Sequence, residues 1–103
     1  MLRITLKSIE GTTIVGCHGQ IAQDEETPLL CLVVGLGDRA VILDLTHTTA
    51  IDRSGFGALI SLQAAGIFLT LRNPSEHILR ELRLRQMQSL FQISWCAPEA
   101  VLA

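Results

Sequence analysis

The chain has 103 residues and a formal net charge of −2, enough for one domain and too few for two. Hydrophobic residues make up 49% of it, so it can build a core, although a domain of this size buries only a modest share of its surface. The charge balance argues against a general nucleic-acid binder, which carries a clear basic excess.

At the N-terminus Leu2, Ile4 and Leu6 alternate with Arg3, Thr5 and Lys7, the pattern of a half-buried strand. Glu10-Gly11 marks a turn, and β-branched residues resume over 12–18. The two runs predict an N-terminal hairpin that Gly19 closes. Residues 20–28 are polar. Asp24 or Thr27 can cap a helix with Pro28 in its first turn. Leu29, Leu32, Val33 and Leu36 follow the spacing of one helix face, and Gly35 and Gly37 end that segment. Residues 40–45 (AVILDL) form a short apolar run, which predicts a central strand buried on both faces. A polar loop is expected over 46–53. Ser54 can cap the next helix, which extends to about Ala65 before Gly66 stops it. Residues 67–71 (IFLTL) predict another buried strand. Asn73-Pro74-Ser75 makes a turn that opens a third helix, whose apolar stripe is Ile78, Leu79 and Leu82. The basic residues Arg80, Arg83 and Arg85, interrupted by Glu81, read as that helix's solvated face. A short edge strand is expected over 90–95 and a terminal helical turn at Ala97-Pro98-Glu99.

Strands that alternate with helices after a hairpin imply an α/β fold with a mixed sheet, parallel in part. One domain over residues 1–103 is expected, with four to five strands and three to four helices.

The three cysteines, Cys17, Cys31 and Cys96, form no CxxC pair. Each sits among apolar residues, so buried free thiols are expected, not disulfides or zinc ligands. His18, His47 and His77 are widely spaced, and no metal or cofactor is expected. The GxGxxA sequence at 35–40 precedes a strand, whereas a dinucleotide fingerprint follows one, so it reads as a helix end and turn. Ser54 with His47 and Asp44 or Asp52 lacks the setting of a hydrolase triad. No apolar run is long enough to span a bilayer. The N-terminus lacks the apolar stretch of a signal peptide, and the expected location is cytoplasmic.

The most informative segment is 40–65, AVILDLTHTTAIDRSGFGALISLQAA. A strand leads through a polar loop into Asp52-Arg53-Ser54-Gly55-Phe56-Gly57, and a helix follows. This resembles the anti-sigma-factor antagonists and the wider STAS domain family, whose signature is a strand, then Asp-Ser-Ser/Thr-Gly-Leu-Gly, then a helix. Asp52, Ser54, Gly55 and Gly57 match, with Phe56 at the Leu position. Residues 71–75 (LRNPS) give a second, weaker match, and 87–91 (MQSLF) resemble the family's closing segment.

The resemblance implies a STAS-like fold and a regulatory module that is not an enzyme. It also implies that Ser54 is a phosphoacceptor for a partner anti-sigma factor that is a serine kinase, with a separate phosphatase restoring the free serine. Asp52, Arg53, Gly55, Phe56, Gly57, Ala58 and Ser61 would shape the partner-binding surface. Three departures stand out. Arg53 replaces a small residue, Ala22 stands where an acidic residue is common after the second strand, and Gln86 stands where glycine is frequent.

The charge on a phosphate, on the order of −1.5 to −2, suits a helix N-terminus with its unpaired N–H groups. Two other readings remain open. One is an unphosphorylated STAS accessory subunit of a transporter ATPase, as in lipid transport. The other is a small phosphate-ligand or nucleotide binder that uses the glycine-rich helix start. Residues 28–37 and 54–71 carry no charge, which predicts helix faces that pack against a protein partner or a second copy.

Overall fold

The computed structural model describes residues 2–9, 11–22 and 26–95. The elements in chain order are β1 (Arg3–Ile9), β2 (Thr12–Ile21), α1 (Glu26–Leu36), β3 (Ala40–Asp44), β4 (Thr48–Ile51), α2 (Arg53–Ala64), β5 (Phe68–Arg72), α3 (Glu76–Leu84) and β6 (Gln92–Ser94). The sheet runs β1-β2-β3-β5-β6, and β4 pairs with β2 off that path. Among the described residues only the β1–β2 hairpin is antiparallel, and the other pairings are parallel. The mixed sheet and N-terminal hairpin are as expected.

A single core forms on one face of the sheet. Val15, Cys17, Val41, Leu43, Leu69 and Leu71 project from the strands against Leu29 and Val33 of α1, Leu59 and Leu62 of α2, and Ile78 and Leu82 of α3. Strand residues alternate between faces, so the intervening residues lie on the opposite side. There Ile42, Asp44, Thr70 and Arg72 are only half-buried, and no described helix covers them. The expectation that residues 40–45 are buried on both faces is therefore corrected: the described helices cover one face alone. The same holds for 67–71, where Phe68 is exposed. On β1, Leu6 is also exposed, because this edge strand reaches beyond the helical layer.

The expected loop over 46–53 contains a strand. β4 runs parallel to the end of β2, with Gly19, Gln20 and Ile21 opposite Thr48, Ala50 and Ile51. Gly19 does not close β2. At φ 110° it forms an irregularity where the register shifts, and the strand continues to Ile21. A glycine is suited to that backbone conformation. Thr48 is buried in this pairing, and its hydroxyl donates to the Cys17 carbonyl at 2.7 Å.

Two helix limits also differ from expectation. α1 starts at Glu26, which leaves Thr27 inside it, and Gly35 is helical, so Gly37 alone follows its end. Asp24, the other candidate cap, lies outside the described residues, as does the terminal turn at 97–99. α3 is capped by Ser75, whose hydroxyl accepts from Ile78 N–H at 3.2 Å. Gln86, just past this helix, adopts φ 56°, a left-handed conformation that favours glycine.

Candidate functional site

α2 is capped by Asp52, not by Ser54. Asp52 has extended backbone angles, and its Oδ1 accepts from Gly55 N–H at 2.9 Å. The same oxygen accepts the Ser54 hydroxyl at 2.9 Å. The Asp52 carbonyl starts the helical ladder by accepting from Phe56 N–H at 2.9 Å. A carboxylate both caps this helix well and complements its dipole. Ser54 thus sits in the first turn, exposed, with its hydroxyl hydrogen held by Asp52.

The two motif glycines occupy opposite environments. Gly55 is buried against the end of β2. A Cβ there would lie well inside contact distance of the Ile21 carbonyl oxygen and 2.8 Å from Ile51 Cγ2. That same carbonyl accepts from Asp52 N–H at 3.3 Å. Gly55 therefore sets how closely α2 approaches the β2–β4 pairing, and this fixes where the Ser54 turn emerges. Gly57 is exposed, and a Cβ there would meet nothing within 4 Å.

The residues named from sequence divide by exposure. Arg53, Ser54, Gly57 and Ser61 face solvent, whereas Gly55, Phe56 and Ala58 are buried. Phe56 is only 2% exposed, with the Arg85 guanidinium 5.0 Å from its ring centroid. Phe56 and Ala58 thus support the surface from beneath. The Ser61 hydroxyl donates to the Gly57 carbonyl at 3.0 Å, as expected for a helical serine. Ala22, at the position where an acidic residue is common in the family, follows β2 directly and is half-buried.

A polar cluster at the C-terminal ends of β3 and β5 escaped the sequence reading. Asp44 Oδ1 accepts from Thr46 N–H at 3.0 Å and from the Thr46 hydroxyl, and Thr46 Oγ1 accepts from Asn73 Nδ2 at 3.1 Å. Burial opposes ionisation of Asp44. The Thr46 hydrogen bonds and the Arg72 and His47 charges outweigh it and hold the carboxyl below its ordinary value. The Asp-x-Thr spacing was the available signal; the contribution of Asn73 depends on the parallel packing of β3 and β5.

The cysteine expectation holds in part. Cys17 is buried and Cys31 is exposed on α1, while Cys96 lies outside the described residues. Burial, aided by the Asp44 charge, pushes the Cys17 thiol up to about 12. No grouping of three or more metal-type side chains occurs among the described residues. No described helix is long and apolar enough to cross a membrane.

The described helices thus pack on one face of a mixed sheet, and the Asp52-capped first turn of α2 presents exposed Ser54 followed by Gly55. The STAS domain family model matches residues 3–99, and the chain belongs to that family. Solved structures share the fold. A candidate anti-sigma factor antagonist of Thermotoga maritima superposes with a TM-score of 0.78 at 18% identity, covering 96% of this chain and 91% of its own. An anti-sigma factor antagonist from Mycobacterium paratuberculosis gives 0.76 at 14% identity, covering 99% and 92%. The anti-sigma factor antagonist SpoIIAA in its unphosphorylated form gives 0.63 at 16% identity, covering 97% and 94%. No curated protein matches the sequence significantly.

Proposed function

We propose that this domain is a non-enzymatic, protein-binding regulator of the anti-sigma-factor-antagonist type, switched by reversible phosphorylation of Ser54. The observation that carries this reading is the setting of Ser54: an exposed hydroxyl on a rigid first turn, oriented by Asp52 at 2.9 Å. Asp52 accepts the hydroxyl hydrogen and so orients the Ser54 oxygen on the exposed turn. Phosphorylation removes this hydrogen bond, because the phosphorylated oxygen carries no hydrogen to donate. The Gly55 N–H bond to Asp52 remains, so the cap and the helix persist.

The added charge acts in two opposing ways on the domain. The N-terminal dipole of α2 favours it by roughly 0.3–1 kcal/mol, and the Asp52 carboxylate opposes it. The net effect on folding is small, and the main change falls on the surface formed by Arg53, Ser54, Gly57 and Ser61. A partner that docks on this surface would lose affinity through charge without any refolding of the domain. The partner would be a serine kinase that is also an anti-sigma factor, opposed by a phosphatase, in the cytoplasm.

A second reading is favoured by α1. Leu30, Cys31, Val34 and Gly35 form an uncharged surface, and Val34 is 56% exposed. Together with Ala22, this suits a permanent accessory subunit of a transporter ATPase complex. Intact-mass spectrometry of protein from its native cells, with peptide mapping, separates the two. A phosphate on Ser54 that is lost in Ser54→Ala supports the switch. An unmodified chain that copurifies in stoichiometric complex with an ATPase supports the subunit.

A further inference from the structure

The face of the sheet opposite the helices carries a depression of about 270 Å³. Its position follows from the strand register. Thr5 pairs with Gly16, Gly16 with Asp44, and Asp44 with Arg72, so these residues form one row across β1, β2, β3 and β5. Gly16 is the only member of this row without a side chain. The Thr5 hydroxyl occupies the space that a Gly16 Cβ would fill. Lys7 and Ile14, paired with each other, form one wall.

The opposite wall is a pair of stacked imidazoles. The His18 and His47 rings lie 5.0 Å apart at 15°. The backbone brings them together: Gly19 N–H, one residue after His18, donates to the His47 carbonyl at 3.1 Å. Stacked rings expose their nitrogen-bearing edges at the sides of the stack. No described third ligand completes a metal site with them.

Donors dominate this lining. Thr5, Lys7, His18, His47 and Arg72 all offer N–H or O–H groups. The one carboxylate of the described lining, Asp44, accepts from Thr46 through Oδ1, and the charge of its neighbour Arg72 already acts on it. Lys7 and Arg72 against Asp44 leave a net positive charge on the described lining before the histidines are counted. A concave, donor-rich and net-cationic surface suits a ligand with several acceptor oxygens.

We infer that this depression binds a phosphate group, free or on a small organic molecule, between Lys7 and the His18–His47 stack on the sheet face that no described helix covers. The site is separate from the Ser54 turn and does not depend on whether Ser54 is modified. Ile9 and Ile14 line it as well and give an organic phosphate an apolar surface that free phosphate cannot use.

Nuclear magnetic resonance titration of the full chain with inorganic phosphate and with phenyl phosphate, at constant ionic strength, tests the inference. Saturable shifts are expected at Lys7, Gly16, His18 and His47. Lys7→Gln is expected to weaken binding about tenfold, the scale of one charge-assisted contact, and Lys7→Arg to retain most of it. Tighter binding of phenyl phosphate identifies an organic ligand, and equal affinities identify free phosphate. Shifts that do not saturate, that centre on Ser54 and Gly55, or that ignore Lys7→Gln overturn it. Lys7 is exposed on an edge strand, so its substitution leaves the fold intact, which the unperturbed remainder of the spectrum verifies.

Discussion

Replacing Gly55 and Gly57 separately by alanine tests the distinct roles of these two glycines. In Gly55→Ala the new methyl must displace the Ile21 carbonyl and the Ile51 side chain, whose Cγ2 would be 2.8 Å away. Overpacking of this kind costs about 1–3 kcal/mol. Moving the Ile21 carbonyl also disrupts its bond from Asp52 N–H, for about 1 kcal/mol more. The expected loss is therefore about 2–4 kcal/mol, a fall in Tm of roughly 10–20 °C for a domain of this size. In Gly57→Ala the methyl enters open space on an exposed helix face, and helix propensity alone predicts a gain of about 0.5–1 kcal/mol. Urea unfolding followed by far-ultraviolet circular dichroism reads both changes. Shifts of the same sign, or a Gly55→Ala midpoint within about 0.5 kcal/mol of the parent, would refute the claim that Gly55 sets the approach of α2 to the sheet.

Three further outcomes are expected. Asp52→Ala removes the α2 cap and costs about 1 kcal/mol in chemical denaturation, whereas Ser54→Ala, which leaves the Asp52 to Gly55 bond in place, changes stability by less than about 0.5 kcal/mol. Asp44 has a folded-state pKa below its unfolded one. Its stabilising contribution is thus present above the unfolded carboxylate pKa of about 3.9 and disappears as pH falls through the lower folded value; Asp44→Asn should flatten that acid limb in denaturant midpoints measured between about pH 2 and 6. Alkylation of the native protein followed by peptide mapping should label exposed Cys31 and spare Cys17, whose thiol is buried and pushed up to about 12; Cys17 should react only in denaturant.

Much of the fold was legible because local patterns agreed with it. The hairpin alternation, the i, i+3, i+4 stripe of α1 and the amphipathic spacing of α3 each reflect burial of one face by its neighbours. The family resemblance, carried by Asp52, Ser54, Gly55 and Gly57, placed the site at the start of α2. β4 escaped because a four-residue strand in a threonine-rich stretch has no partner that sequence can name. Its pairing depends on β2 running past Gly19. The exposed faces of β3 and β5 escaped for a related reason: an apolar run does not reveal how many helices will cover the sheet.

Chain connectivity and local spacing alone make a strand–loop–helix unit that presents Ser54 next to Gly55, with Gly57 three residues on. Tertiary packing makes Asp52 the cap, wedges Gly55 against Ile21 while leaving Gly57 open, and puts Phe56 beneath the surface and not on it. It alone also brought Lys7, His18, His47 and Arg72 around Gly16. These relations link residues far apart in the chain through sheet register, which arises from pairing and packing together and is not encoded in any single segment.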